Sequence, residues 1–282
     1  MEKSAIRLGY AGFRGDLDAW EHFAGRIYGL QPVRERNVLR LWADERGDPV
    51  GLDYLGFEFG SLEALQLTAN RLQASGFEAT ADADLAQRRN VASLIKTQAP
   101  DGTRLELFVG ALTLSAPFAS PTGARFVTGR SGLGHVLLLV PDIGAALAFF
   151  ENCLGFSRSD VVVMGPGVDA HFLNGGHRHH VVALASLPGV TGFDHIFLEV
   201  DSVGTVGLAW DKVLAGAAPV ARSLGQHAND PAMSFYAQSP SGFLFEYGCG
   251  STIIGDPDSW IQTRWESPYL WGGTYGSHCV RS

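Results

Sequence analysis

The stretch SGLGHVLLLVPDIGAALAFFENCLGF, residues 131–156, predicts a buried strand followed directly by a helix. GHVLLLV is short and apolar, as strands buried on both faces are, and Pro141 ends it. The apolar residues that follow have helical spacing, and Gly155 is a suitable residue just beyond the C-terminus of a helix. The stretch is therefore the first half of a unit in which further strands should follow.

The same pattern occurs at the start of the chain, in IRLGYAGFRGDLDAWEHFAGRIYGL, residues 6–30. With one gap, Leu8 aligns with Leu133 and Gly29 with Gly155. Two further pairs of segments match in the same order, 52–77 with 193–218 and 99–110 with 239–250. Three ordered matches at a nearly constant offset indicate an internal duplication.

Each match predicts a strand, a helix and then more strands, so we expect four βαβββ modules, two in each half of the chain. The fold class is α+β, with two tandem domains that each consist of paired βαβββ modules. Residues 111–130 are rich in Pro, Ser, Thr and Gly, which is typical of a linker. We place the two domains at residues 1–118 and 119–282.

Composition and charge narrow the class of protein. The 282 residues are 46% hydrophobic, enough for a sizeable core, and their formal net charge is −8 without a run of lysines or arginines. This balance argues against a nucleic-acid partner and against docking on an anionic membrane. The opening MEKSAIRLGY has no apolar signal region, and no window is apolar for long enough to span a bilayer, so we expect a cytoplasmic protein.

The duplication separates scaffold residues from residues that carry chemistry. Three positions of the second half, each near the end of a different predicted strand, hold residue types that bind metals: His135, His195 and Glu246. The equivalent positions of the first half hold two tyrosines and a glutamate: Tyr10, Tyr54 and Glu106. Only the second half therefore has a complete set of candidate ligands.

Two neutral imidazoles and one carboxylate form the facial triad that binds non-haem Fe(II) or Mn(II) and leaves adjacent positions open for a substrate and dioxygen. Strand alternation places His135 on the same face as Leu137. It likewise places His195 on the same face as Phe193 and Phe197. An unpaired polar group on an apolar face is costly to bury, so a metal is the expected partner.

With these residues in place, the chain resembles the type I extradiol ring-cleavage dioxygenases of the vicinal oxygen chelate superfamily. The resemblance covers essentially the whole chain and is carried by GLGHVLLLVPD, AHFLNGGHRHHVVALA, FDHIFLEV and HANDPAMSFYAQSPSGFLFEYG. It is strongest to enzymes that act on bicyclic catechols such as 2,3-dihydroxybiphenyl and 1,2-dihydroxynaphthalene. It implies a glyoxalase-like fold, a non-metal domain at 1–118, a catalytic domain at 119–282, and iron ligands His135, His195 and Glu246.

The resemblance also implies roles for the residues around the metal. His180 is expected to act as a base that faces the dioxygen site, whereas the adjacent His179 would point to the opposite face of a strand and be structural. His227 and Tyr236 would hydrogen-bond the substrate hydroxyls and assist proton transfer, and Asp230 would orient this network. Four residues are expected to contact the substrate: Leu137, Met164, Phe172 and Asn229.

The activity implied is the cleavage of a catechol ring with incorporation of both atoms of O2, in the degradation of aromatic hydrocarbons. The expected cofactor is Fe(II), with Mn(II) as the alternative. The expected partners are a catecholic substrate and O2, without nucleic acid or membrane, in a homo-oligomer.

Two other functions stay open at this point. A glyoxalase-like isomerase or lyase on the same fold would usually replace one histidine ligand with a second glutamate. A non-catalytic binder of hydrophobic small molecules would need no ligand triad.

One feature of the first half departs from the family pattern. The segment between Tyr10 and Tyr54 is 16 residues shorter than the segment between His135 and His195. We expect LWADERGDPVGLDY, residues 41–54, to lack a strand that the family keeps, and the first module to be trimmed or packed differently.

Overall fold

Two large β-sheets, one from each half of the chain, organise the fold. The computed structural model describes residues 5–35, 38–43, 53–113, 117–257 and 259–275. The sheet of the first half consists of β1 (Ile6–Phe13), β4 (Asp53–Phe59), β5 (Thr80–Ala81), β6 (Val91–Gln98) and β7 (Arg104–Ala111). Their order across the sheet is β1-β4-β7-β6-β5, with β4 antiparallel to β1 and parallel to β7.

The first module of this half is packed differently from the others, as the short segment predicted. Strands β2 (Gln31–Glu35) and β3 (Val38–Trp42) pair with each other in a separate two-stranded sheet. Within the described residues, this module therefore adds only β1 to the large sheet. Residues 44–52, which include most of the segment expected to lack a strand, lie outside the described residues.

The second half forms one sheet in which both modules are complete. The first module supplies β8 (Gly134–Leu139), β9 (Ser157–Gly165), β10 (Val168–Asn174) and β11 (Val182–Ala185). The second supplies β12 (Gly192–Glu199), β13 (Val220–His227), β14 (Met233–Gln238) and β15 (Leu244–Cys249). In each module the first strand is parallel to the fourth, and the modules join through antiparallel β8 and β12. The predicted pairing of modules is confirmed in this half.

Two short strands from beyond the duplicated segments extend this sheet at its edges. They are β16 (Thr263–Trp265), which is parallel to β9, and β17 (Tyr269–Gly272), which is antiparallel to β13. The full order is β16-β9-β10-β11-β8-β12-β15-β14-β13-β17. The sequence pattern did not predict either edge strand.

The helices of the described residues follow the first strands of the modules or connect later ones: α1 (Leu17–Trp20), α2 (Leu62–Ala74), α3 (Ala83–Arg89), α4 (Ile143–Ala148) and α5 (Val203–Lys212). The predicted helix end at Gly155 is confirmed. The helix begins after Asp142, whose carboxylate accepts a hydrogen bond from the Ala145 amide, and the π-helix that continues α4 ends at Gly155, which has a left-handed φ of 96°. Three helices continue as π-helices, over Glu21–Tyr28, Phe149–Leu154 and Val213–Ala217. None of the described helices is long and apolar enough to cross a membrane.

The first helix of each half packs against the other half. The Tyr28 ring lies 4.6 Å from the Phe245 ring, and the Phe149 ring lies 4.8 Å from the Phe77 ring. These contacts join the two sheets in one apolar core. The boundary at residue 118 stays a prediction.

Strand β8 is buried on both faces and so links this core to a second apolar region. Val136 and Leu138 belong to the large core, whereas Leu137 and Leu139 belong to a smaller cluster that lines a cavity with His135. The predicted placement of His135 on the face of Leu137 is confirmed.

The prediction that His195 shares a strand face with Phe197 is confirmed, whereas the prediction that it shares this face with Phe193 is wrong. The pairing of β12 with β8 shifts between Phe193 and His195, so the strict alternation of faces is interrupted there. Phe193 consequently packs into the large core beside Phe13, while Phe197 stacks on the His135 ring at 4.6 Å.

Candidate metal centre and active site

Three neighbouring strands bring His135, His195 and Glu246 together. Strand β12 lies between β8 and β15, and the backbone of Phe197 is paired with His135 on one side and with Glu246 on the other. The Nε2 atoms of the two histidines are 3.3 Å apart. Glu246 Oε2 lies 3.3 Å from the first of these nitrogens and 3.4 Å from the second.

The three atoms form a nearly equilateral triangle that fits one metal ion. Nitrogen and oxygen ligands lie about 2.0–2.2 Å from a transition metal such as zinc, so three atoms at this spacing can reach a single ion. Glu246 Oε2 is buried and accepts no well-aligned hydrogen bond from the described residues. A buried carboxylate oxygen without a donor is costly unless a cation binds it. Both the donor set and the orphaned oxygen therefore fit a divalent metal.

The environment holds each ligand in its metal-binding form. Burial lowers the pKa of His135 to about 3, so its ring is neutral at neutral pH. The Nδ1 atom of His195 lies 2.8 Å from the Asp194 carboxylate, which fixes the tautomer with a lone pair on Nε2. Burial alone would raise the pKa of Glu246, but the adjacent His135 and His227 rings outweigh it and hold that pKa well below its usual value.

Glu246 is also fixed through its other oxygen. Oε1 accepts a hydrogen bond of 2.6 Å from the Ser234 hydroxyl and lies 3.0 Å from His227 Nε2. The carboxylate is therefore held in one orientation, with Oε2 turned towards the two imidazoles.

His180, the predicted base, lies beside the triad. Its ring centroid is 3.9 Å from that of His135, and its Nδ1 is 3.6 Å from an Asp230 carboxylate oxygen. Burial, with the nearby His135 and His179, lowers the pKa of His180 well below its usual value. Asp230 is held in turn by a hydrogen bond from the Thr252 amide.

The prediction that His179 and His180 point to opposite faces of a strand is wrong. The pair precedes β11 and does not belong to a strand. The two rings do not point to opposite faces: their Nδ1 atoms are 3.0 Å apart. The Nε2 atom of His179 lies 3.0 Å from the Asp160 carboxylate. His179 therefore connects His180 to a buried carboxylate behind it.

His227 and Tyr236 form a second group on the opposite side of Glu246. The Tyr236 hydroxyl is 3.1 Å from His227 Nε2, and His227 Nδ1 is 3.2 Å from the Pro268 carbonyl oxygen. The carbonyl and the Glu246 carboxylate both accept, so the neutral ring can donate to only one of them, while the protonated ring donates to both. Burial and the Glu246 charge raise the pKa of Tyr236 well above its usual value, which keeps the phenol protonated.

All four residues expected to contact the substrate line one cavity beside the triad: Leu137, Met164, Phe172 and Asn229. The cavity has a volume of about 140 Å³. The side-chain nitrogen of Asn229 is buried without a hydrogen-bond partner among the described residues, so it has a donor to offer.

The cavity wall also contains several residues that were not predicted from the sequence. Eight are apolar: Leu139, Val162, Val168, Ala183, Ala185, Leu187, Ala232 and Pro268. Four are polar or charged: Asp194, Arg222, Tyr269 and Tyr275. Alternation from His135 was enough to find Leu139, but no local pattern could place Tyr269, because its strand reaches the site only by pairing with β13.

The equivalent place in the first half holds a guanidinium group. Both oxygens of Glu106 accept hydrogen bonds from Arg89, at 2.7 and 2.8 Å, and one also accepts from the Tyr10 hydroxyl at 2.6 Å. The Arg89 guanidinium lies 3.9 Å from the centroid of the Tyr54 ring. A protein cation thus neutralises the glutamate where the second half has the triad.

Comparison with known proteins gives a consistent result along the chain. Residues 132–247 match the model of the Glyoxalase/Bleomycin resistance protein/Dioxygenase superfamily. A 3-methylcatechol 2,3-dioxygenase of Pseudomonas putida strain F1 is 38% identical over 95% of this chain and 97% of its own. A biphenyl-2,3-diol 1,2-dioxygenase of Paraburkholderia xenovorans strain LB400 is 38% identical over 94% of each chain.

A third relative, an iron-dependent extradiol dioxygenase of Rhodococcus jostii strain RHA1, is 32% identical over 91% of this chain and 92% of its own. Among solved structures, a halotolerant catechol dioxygenase superposes with a TM-score of 0.90, at 32% identity over 95% of this chain and 94% of the other. The likeness therefore extends over both halves and is not confined to the metal-binding half.

We expect His195→Ala to abolish stoichiometric metal binding, because it removes one corner of the ligand triangle. His180→Ala is the matched control and should keep the metal, since its ring lies beside the triangle without contributing a ligand atom to it. Metal content after anaerobic loading with Fe(II) measures both. Equal loss of metal in the two variants would contradict this division of roles.

We expect Arg89→Met to destabilise the protein by about 3–5 kcal/mol, because it leaves the Glu106 carboxylate buried without a cation. The neighbouring Arg88 is exposed, so Arg88→Met should change the free energy of unfolding by less than about 0.5 kcal/mol. Urea denaturation measures both. Equal stability of the two variants would show that Arg89 does not compensate the charge of Glu106.

Proposed function

The chain belongs to the extradiol dioxygenases of the glyoxalase, bleomycin resistance and dioxygenase superfamily, and on this premise we propose that it opens the ring of a bicyclic catechol at an Fe(II) ion held by His135, His195 and Glu246. The observation that carries the proposal is the buried triangle of ligand atoms, 3.3–3.4 Å apart, in the wall of a largely apolar cavity. The substrate would be of the 2,3-dihydroxybiphenyl or 1,2-dihydroxynaphthalene type.

The donor set supports iron. Two neutral imidazoles and one carboxylate on one side of the ion are the ligands of non-haem Fe(II) oxygenases, and a relative over almost the whole chain is iron-dependent. Mn(II) accepts the same donors and is the alternative. When bound, the metal would supply a centre at which the two catechol oxygens and dioxygen come together.

His180 is the group best placed to take a proton from a substrate hydroxyl. Its Nδ1 faces His179 and Asp230, which leaves Nε2 for the substrate. Because burial keeps the ring neutral, Nε2 can accept a proton, and the Asp230 carboxylate would then stabilise the positive charge. In this proposal, Asp230 orients the network by pairing with the His180 ring.

Tyr236 and His227 would serve the opposite side of the substrate. The phenol stays protonated and can donate to a substrate oxygen, while His227 Nε2 lies within hydrogen-bond distance of both the phenol and Glu246. A proton can therefore pass from His227 or Tyr236 to the oxygen that needs it as the ring opens. Overall one ring C–C bond breaks and both atoms of O2 enter the product, so no external reductant is required.

The shape of the cavity supports a substrate with a second ring. Its wall follows β8 from His135 past Leu137 to Leu139, roughly 13 Å of extended chain. The facing residues of β11 are small, since Ala183 and Ala185 are paired with the two leucines. An apolar space therefore extends from the metal centre beyond the length of one aromatic ring.

Neither rival function explains this set of residues as well. A glyoxalase-like isomerase or lyase has no evident use for His180, His227 and Tyr236 together around a triad with two histidines. A binder of hydrophobic molecules would need the apolar wall but no buried carboxylate and acid–base groups. The cytoplasmic location and the homo-oligomeric state stay predictions.

Fe(II)-loaded protein should consume one equivalent of O2 for each molecule of 2,3-dihydroxybiphenyl and form a yellow ring-fission product. An oxygen electrode and the visible spectrum measure the two changes. His195→Ala is the control and should be inactive. If no mono- or bicyclic catechol elicits oxygen consumption, the proposed function is wrong.

We expect Ala185→Leu to lower kcat/KM for 2,3-dihydroxybiphenyl by about tenfold or more, because the added side chain fills the space proposed for the second ring. The same variant should retain kcat/KM for 3-methylcatechol within about threefold, which makes the smaller substrate an internal control. Steady-state oxygen consumption measures both. A similar loss with the two substrates would place the second ring elsewhere.

A further inference from the structure

Arg222 is a cation in the wall of the active-site cavity, and within the described residues it forms no ion pair with a carboxylate. Its Nη1 donates to the Tyr269 hydroxyl at 3.4 Å, the long end of the hydrogen-bond range. The guanidinium lies 5.3 Å from the centroid of the Tyr236 ring and 4.6 Å from that of Tyr275. Its Nε is buried and has no hydrogen-bond partner among the described residues.

Two other guanidinium groups of this protein are each paired with a carboxylate. Arg89 binds both oxygens of Glu106, and the fully buried Arg178 is paired with Glu199. Five N–H donors and a full charge are costly to bury, and contacts with aromatic faces offset only part of that cost. Among the described residues, Arg222 therefore has a charge without a carboxylate partner and an Nε–H without an acceptor, and its side chain lines the cavity.

The register of the strands places Arg222 within reach of a substrate held at the metal centre. Arg222 on β13 is paired with Tyr236 on β14, and Tyr236 is paired with Glu246 on β15. Strands are about 4.8 Å apart, so the backbone of Arg222 lies roughly 10 Å from that of Glu246. The apolar wall along β8 and β11 lies on the other side of the triad. One part of the substrate would meet apolar side chains, and another part would meet a cation.

We propose that Arg222 binds an anionic, carboxylate-type substituent of the catechol and makes the enzyme select acidic catechols over neutral ones. A carboxylate would pair with the charge of Arg222 and accept charge-assisted hydrogen bonds from the guanidinium, whose planar group can bind both carboxylate oxygens. This inference rests on the proposed function and narrows its substrate class to a ring system that is apolar at one end and acidic at the other.

An alternative role for Arg222 makes a different prediction. The positive charge beside the Tyr236 ring favours ionisation of that phenol and so could act on proton transfer alone. In that case removal of Arg222 would slow the reaction of every catechol and would leave binding equally strong for acids and esters. Binding measured without O2 therefore distinguishes the two roles.

The test measures equilibrium binding by anaerobic calorimetry, with Fe(II)-loaded protein and two matched pairs of probes. The probes are 2,3-dihydroxybenzoate and 3,4-dihydroxybenzoate, each compared with its methyl ester. We expect at least one acid to bind about tenfold or more tightly than its ester. Arg222→Met should remove that difference by weakening the acid, while the affinity for the ester changes by less than about threefold. Arg222→Lys should retain part of the preference, because it keeps the charge but not the planar donor pair.

Two results would overturn the proposal. One is that the wild-type protein binds each ester at least as tightly as its acid, a comparison that needs no variant. The other is that Arg222→Met weakens the acid and the ester equally. If neither acids nor esters nor 2,3-dihydroxybiphenyl bind at all, the proposed catechol function itself fails, so the two failures are distinguishable.

Discussion

The structure of this site depends on one buried carboxylate. Glu246 is 1% exposed, and in such a place an ionised carboxyl group is stable only if donors and positive charge surround it. Ser234 and His227 satisfy one oxygen from the neighbouring strands. The other oxygen faces the Nε2 atoms of two imidazoles, which as metal ligands contribute lone pairs and no charge. The missing positive charge is therefore the reason to propose that this arrangement is a metal centre and not merely a polar cluster in the core.

The first half of the chain meets the same constraint with its own residues. Glu106 occupies the position equivalent to Glu246, and Arg89 with Tyr10 supplies the charge and the donors. A guanidinium whose donors are directed at a carboxylate has no open position for a substrate, whereas a metal ion with three protein ligands on one side has several. The two halves are copies of one scaffold. They differ in the cation that neutralises the glutamate, which is a guanidinium in the first half and the proposed metal ion in the second, and the difference in function follows from this.

Sequence patterns predicted the parts of the structure that depend on local periodicity or on the duplication. The α+β modules of the second half, helix α4 and the meeting of His135, His195 and Glu246 all follow from matching strands in the two halves. The face of the strand on which Phe193 lies could not be predicted in this way, because a shift in strand pairing is decided by neighbouring strands. The rings of His179 and His180 turned towards each other because their segment lies outside the strand that alternation assumed. Arg222 and Tyr269 were missed because strands β13 and β17 bring them to the site through long-range pairing.

The proposed metal ligands and Arg222, the residue proposed to bind an acidic substituent, are held by different parts of the sheet, and this separates the chemistry from the selection of substrate charge. The ligands lie on the central strands β8, β12 and β15, and residues of the same strands that face the other way, such as Val136 and Ile196, belong to the core shared by both halves. A change that moved these strands would disturb that core, so the triangle of ligand atoms is rigid. Arg222 lies on β13, and its contacts Tyr269 and Tyr275 come from the segment that pairs along the outer side of this strand. That edge can change its side chains at small cost to the core, and it is where differences in substrate charge can be accommodated while the proposed metal chemistry stays the same.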